Sequence, residues 1–237
     1  MAIEKIRMPD GTEVIIDEWI SIPRYSTIEF GDDVDVNLRA FTYVVGSRVP
    51  QQGTIPAAFA NRNATETDTN QTTRTRINHD QAYLAYSLTY EIFALSGATI
   101  PDGSPNGTLV AGTPILSALN LRRLQRDLLV SLTIGANIDK PQARFPFAWM
   151  GQGPGAPAYT SGDAVSAGVA FSYGTGGGRP SPKNQRSWRL PVWIASDRVF
   201  FCQIASKRAP RDATTPLHTQ AIRLRMYIDG LNRRPIA

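Results

Sequence analysis

The stretch SYGTGGGRPSPKNQR, residues 172–186, sets three consecutive glycines before an arginine, with a lysine and a second arginine behind. These are the residue types that cradle phosphate. A phosphate loop of the GxxxxGK[ST] kind needs a lysine to reach the phosphates and a following helix whose N-terminal N–H groups point at the anion. Here Gly176, Gly177 and Gly178 run into Arg179, Pro180, Ser181 and Pro182, and the two prolines remove donors and block that helix. A GxGxxG reading fails for want of the same helix. The stretch reads instead as a long surface loop whose Arg179, Lys183 and Arg186 pair with the acidic surface of a partner.

Other chemistry-bearing residues are sparse. His79 and His218 stand alone, with no HxxH or HExxH spacing. The one cysteine, Cys202, lies in the apolar run RVFFCQIA, so no intramolecular disulfide or CxxC site can form, and a buried thiol made in a reducing compartment is expected. GDDVDVN places Asp33, Asp35 and Asn37 at alternate positions, as a calcium loop begins. Counted from Asp33, however, Leu38 holds the sixth position, where glycine belongs. The twelfth, where a bidentate glutamate belongs, is Val44, or Tyr43 counted from Asp32. An exposed strand edge guarded by charge is the simpler reading. There is no GxSxG elbow, and no carboxylate pair is singled out. The expectation is of a non-enzyme without cofactor or metal.

Charge is more informative in its distribution than in its net value of +5. Residues 1–102 carry 8 basic and 14 acidic side chains, whereas residues 179–237 carry 12 and 3. An acidic front and a basic back suit self-association or a face turned to a polyanion. Of the 25 basic residues 21 are arginine, the cation that best matches carboxylate and phosphate forks. Arg223, Arg225, Arg233 and Arg234, in IRLRMYIDGLNRRPIA, are the candidate phosphate or subunit contacts. The N-terminal MAIEKIRMPDGTEVIIDEW mixes both charges into its apolar residues, unlike a signal peptide, so a soluble protein or a member of a soluble assembly is expected.

The elements that must position these residues are mostly strands. Pro9-Asp10-Gly11 between KIRM and TEVII predicts a hairpin. Val34, Val36 and Leu38 alternate with polar residues, and Phe41, Tyr43 and Val45 extend the pattern as another strand. Residues 50–76, rich in Thr, Asn, Gln and Ala, read as an extended polar arm lying across other elements or a neighbouring subunit. HDQAYLAYSLTYEIFALSG fits a strand through Leu84, Tyr86, Leu88, Tyr90 and Ile92, and a helix face through Tyr83, Tyr86, Tyr90 and Phe93; its Tyr and Thr content favours the strand. TPILSALNLRRLQRDLLVSL is the one clear helix candidate, with Thr113 as cap, Pro114 in the first turn, and Ile115, Leu119, Leu121, Leu124 and Leu128 at helical spacing. Pro/Gly-rich loops around one or two short strands follow. SWRLPVWIA, RVFFCQIA and AIRLRMYIDG then read as strands, the last with Ile222, Leu224, Met226 and Ile228 on one face and Arg223, Arg225 and Tyr227 on the other. The sum is an all-β sandwich forming one domain: hairpin and first strands in 1–49, the arm in 50–76, and the remaining strands in 77–237.

In LPVWIASDRVFFCQI and IRLRMYIDGLNRRPIA, a Pro-led strand, an Asp turn, an apolar strand and a terminal G-x-x-R-R-P end follow one another. With LLVSLTIGANI and the polar arm, this order resembles the jelly-roll capsid proteins of tailless icosahedral bacteriophages, over about a third of the chain. The resemblance implies a jelly-roll β-sandwich, a single roll rather than a compact double one, with one helix and long loops. It implies a virion building block made in the host cytoplasm and lacking a catalytic site. Its partners would be further copies of itself in trimeric, pentameric or hexamer-like capsomers, other virion proteins, and genome or internal membrane on one face. Two competing readings are a nucleic-acid-binding module using the basic C-terminal face, and a glycan-binding sandwich of a phage tail with Trp149, Trp188 or Trp193 as platform. For those tryptophans a core position is expected first.

Overall fold

The computed structural model describes residues 5–7, 13–15, 19–31, 35–77, 82–96, 118–135, 141–149, 157–160, 174–177, 186–196, 198–206 and 220–233. In chain order the elements are β1 (Lys5–Arg7), β2 (Glu13–Ile15), β3 (Trp19–Ser21), β4 (Arg24–Phe30), β5 (Asn37–Ala40), β6 (Gln51–Gln52) and β7 (Tyr83–Ala94). There follow α1 (Ala118–Asp127), β8 (Leu128–Ile134), β9 (Ala143–Pro146), a 3-10 turn (Phe147–Trp149), β10 (Pro157–Thr160), β11 (Gly174–Gly177), β12 (Arg186–Ile194), β13 (Phe200–Ser206) and β14 (Ile222–Arg233).

The spine is β14, twelve residues long, whose strict alternation makes one face apolar. It pairs antiparallel with β4 on one side and β7 on the other, so that Leu224 lies between Ile28 and Ile92, and Met226 between Ser26 and Tyr90. Adding β12 outside β7, and β6 outside β4, gives a sheet ordered β12-β7-β14-β4-β6, with β3 also on β14. The second sheet runs β5-β13-β8-β9. Cys202 there lies between Ala40 and Leu132, and Ile204 between Leu38 and Val130. The two inner faces share one core, in which Ile28, Leu88, Tyr90, Leu132, Phe200, Cys202, Leu224 and Met226 are fully buried. The chain is a β-sandwich.

Its eight principal strands pair from the outside in. The first, β4, joins the last, β14; β5 joins β13; β7 joins β12; and β8 joins β9, all antiparallel. The β14–β7 and β13–β8 pairings then close each sheet. β1 and β2 form the expected hairpin, in register Lys5↔Ile15.

Three expectations are corrected. The helix ends at Asp127, and Leu128 belongs to β8 rather than to a helical face, because the apolar period changes there from 3.6 to 2: Leu128, Val130 and Leu132 are all buried. Phe41, Tyr43 and Val45 are not a strand. The chain leaves β5 at Phe41 with φ of 66°, Phe41 N–H donates to Ser26 Oγ at 2.8 Å, and Val45 is left exposed. Gly174–Gly177, expected in a surface loop, form β11 and pair with Pro157–Thr160.

Segment 50–76 packs on its own chain. Gln51 and Gln52 run parallel beside Glu29 and Phe30, Thr69 bridges to Ser26, and Arg76 bridges to Val199 near the start of β13. The segment therefore covers the free edge of β4 and reaches the second sheet.

Candidate functional site

The polar face of β14 and the segment above it hold the densest set of charged side chains among the described residues. Pairing register places Arg223 beside Glu29 on β4 and Phe93 on β7, and Arg225 beside Thr27 and Glu91. Glu29 has no exposed surface. Its Oε1 accepts from Arg223 Nε at 2.8 Å and from Arg62 Nε and Nη2 at 3.1 and 2.7 Å, while Oε2 accepts from Gln51 Nε2 at 2.6 Å. Arg62 turns its outer edge to Asp68, Nη1 and Nη2 each donating at 2.6 Å. Thr65 completes the Asp68 carboxylate through its N–H and Oγ1, both at 2.9 Å.

Two guanidinium groups thus face two buried carboxylates, and the cluster is neutral. Burial alone would raise the Asp68 carboxyl, but the hydrogen bonds from Arg62 and Thr65 outweigh it and hold the group at about 2. Arg62 is held well above its ordinary value, chiefly by its bonds to Asp68. Beside this cluster Arg225 Nη1 donates to Glu91 at 3.2 Å, and Tyr227 Oη donates to the same carboxylate at 2.7 Å. Burial pushes the Tyr227 hydroxyl up to about 12. Arg223 also lies over the Phe59 ring at 5.1 Å. Tyr43 lies beneath the segment, its Oη donating to Thr27 O at 2.6 Å, accepting from Thr27 N–H at 2.9 Å and standing 3.3 Å from the Asp68 carbonyl oxygen. The arrangement acts as a clamp that fixes segment 50–76 to the sheet. Its donors and acceptors are engaged with one another.

The sequence candidates are dispersed. Arg223 and Arg225 carry the intrachain ion pairs just described. Arg233 ends β14 opposite Trp19, and Arg186 opens β12 opposite Leu88. Arg179, Lys183, Arg234, Asp33, His79 and His218 lie outside the described residues. Asp35 Oδ1 accepts from Ser206 Oγ at 3.3 Å and Asn37 Oδ1 from Gln203 Nε2 at 2.7 Å, contacts that tie the β5 edge to β13. Among the described residues no three His, Cys, Asp or Glu side chains gather as a metal site would require. Cys202 is fully buried, and burial drives its thiol well above the ordinary range, which leaves it without thiolate character. The tryptophans depart from the expected core position: Trp149 is 62% exposed and Trp193 41%. Trp188 lies in β12.

Arg62, Asp68 and Glu29 were not singled out from sequence. The usable signal was an acidic residue, Glu29, on the non-core face of a strand whose neighbour carries arginine at the opposing position. No protein-family model matches the chain, and no curated protein or solved structure matches it.

Proposed function

We propose that the chain is a structural subunit of a virion shell, a coat protein of the kind found in tailless icosahedral bacteriophages, built on a single jelly roll and acting through contacts with copies of itself. The observation that carries the reading is the strand order. Pairing first with last and second with last but one, as β4–β14, β5–β13, β7–β12 and β8–β9, is what an antiparallel ribbon rolled into two Greek keys produces. The arginine-rich composition and the exposed Ile22, Val45, Trp149 and Trp193 suit a protein whose surface is spent on neighbours. The clamp over β14 supports this role, since it fixes a long polar segment as a rigid outer layer for lateral contacts.

Sedimentation velocity and negative-stain microscopy of the purified chain over a range of salt and concentration test the proposal. Capsomers or closed shells are the expected result. A monomer that persists at every salt and concentration, with no particles, overturns it. The exposure of Trp149 favours a glycan-binding sandwich as the second reading, for which a glycan array is the test, and an array without hits disposes of it.

A further inference from the structure

Two sets stand out among the described arginines. Arg62, Arg223 and Arg225 are spent on buried or half-buried carboxylates. Arg48, Arg74, Arg76 and Arg198 are exposed, and none has a carboxylate partner among the described residues. These four come from three separate stretches of chain, yet backbone contacts bring them to one end of the sandwich. Arg76 bridges to Val199, which sets it beside Arg198. Thr75, held at φ of 55°, accepts from Phe200 N–H at 2.8 Å and so ties the 74–76 stretch to the start of β13. Arg74 Nη2 donates to Ser47 Oγ at 3.2 Å, next to Arg48, and Arg48 bridges to Asn63. Val199 O accepts from Gly135 N–H at 2.6 Å, fixing the end of β8 to the same rim.

We propose that this rim binds the phosphate backbone of a nucleic acid. Four like charges gathered with no carboxylate paired to them among the described residues call for a polyanion. The neighbours are those that contact phosphate and sugar: Asn63, Thr72 and Thr73 are exposed beside the arginines, and Ser47 is half-buried. Trp193, 41% exposed, stands on the strand that leads into the Arg198 turn. The surface is separate from Arg223 and Arg225, and it stands independently of the shell reading.

Fluorescence anisotropy with a labelled 20-nucleotide single-stranded DNA tests it. Four phosphate contacts on a single strand give a slope of about −2.8 in log K against log salt, so affinity falls about 50-fold between 50 and 200 mM salt. Removing three contacts in Arg74→Gln/Arg76→Gln/Arg198→Gln lowers the slope to about −0.7, and the single change Arg198→Gln lowers it by about 0.7 without demanding much of the fold. Arg126→Gln, at an exposed arginine already paired with Asp127 at 2.6 Å, leaves binding as in the unmodified chain. Absence of binding by the unmodified chain at 50 mM salt overturns the proposal, as does unchanged binding by the triple variant. Unchanged DNA binding with lost self-association assigns the rim to a copy contact instead. Sedimentation of the same samples reports assembly separately, so failure of the shell reading and failure of this one are told apart.

Discussion

Arg62→Met tests the clamp at its centre, because methionine keeps much of the stem and removes the guanidinium. Four hydrogen bonds vanish: two to Glu29 Oε1 at 3.1 and 2.7 Å and two to Asp68, both at 2.6 Å. Both carboxylates stay buried, at 0% and 2% exposure, so the charges left behind cannot recover full hydration. Removing one partner of a buried ion pair costs about 3–5 kcal/mol. Glu29 keeps Arg223 and Gln51, Asp68 keeps Thr65, and Arg62 is itself 21% exposed, which places the loss at the lower end, about 3 kcal/mol. For a chain of this size that lowers Tm by roughly 6–12 °C. In a cycle with Glu29→Gln, the double variant should be less destabilised than the sum of the two single changes, by about 1–2 kcal/mol. Thermal unfolding at pH 7 followed by circular dichroism measures both quantities. A Tm loss below about 3 °C, or strict additivity, refutes the reasoning.

The same variant has a signature in acid. Asp68 is held at about 2 in the folded chain against an ordinary 3.8. A depressed carboxyl contributes stability that is present above its unfolded value and lost as pH falls through the folded one. In the unmodified chain that loss falls between about 4 and 2. Without Arg62 the burial of Asp68 is opposed only by Thr65, so its pKa rises and acid unfolding begins at higher pH. A titration of folded fraction from pH 6 to pH 2 that superimposes for the two proteins contradicts this.

Other predictions rest on single contacts. Gly230 sits at the register shift of β14 against β7, where an added Cβ would meet the Leu84 carbonyl oxygen and lie 2.7 Å from Tyr83 Cε1; Gly230→Ala should cost about 1–3 kcal/mol in denaturant titration. Tyr43→Phe leaves the buried N–H and C=O of Thr27 without their hydroxyl partner and should cost about 2 kcal/mol in the same assay. Cys202 should resist a thiol-specific reagent in the folded chain and react once urea unfolds it; labelling at the unfolded rate in native buffer refutes its burial.

Much of the fold was legible because the central strand β14 alternates cleanly. In β14 the apolar residues at 222, 224, 226 and 228 face the core and the arginines face away, as period 2 requires. The mixed signal of β7 resolved as strand, since its neighbours on both sides satisfy its backbone while Tyr83 and Tyr90 enter the core. Junctions were harder. RDLLVSL carries leucines that satisfy a helical and an alternating pattern at once, and only pairing with β13 decides that Leu128 starts a strand. Phe41 looks like the next strand residue, yet a hydrogen bond from its N–H to Ser26 Oγ turns the chain inward there.

The clamp was hidden for a different reason. Segment 50–76 was recognised as polar and as lying across other elements, but a polar composition suggests little packing of its own. Here Asp68 and Thr69 are buried, and much of what secures the segment is mutual satisfaction of donors and acceptors rather than apolar area. The contacts that achieve it join Glu29 to Arg62 and to Arg223, separations of 33 and 194 residues for which no local spacing prepares. Positive charge was visible from composition, but its availability was not. β-sheet register spends Arg223 and Arg225 on carboxylates, whereas bridges at the rim leave Arg48, Arg74, Arg76 and Arg198 facing outward. A charge-reversing change at Arg223 should therefore act first on stability, and one at Arg198 first on binding; the opposite pattern would show that register is not what divides them.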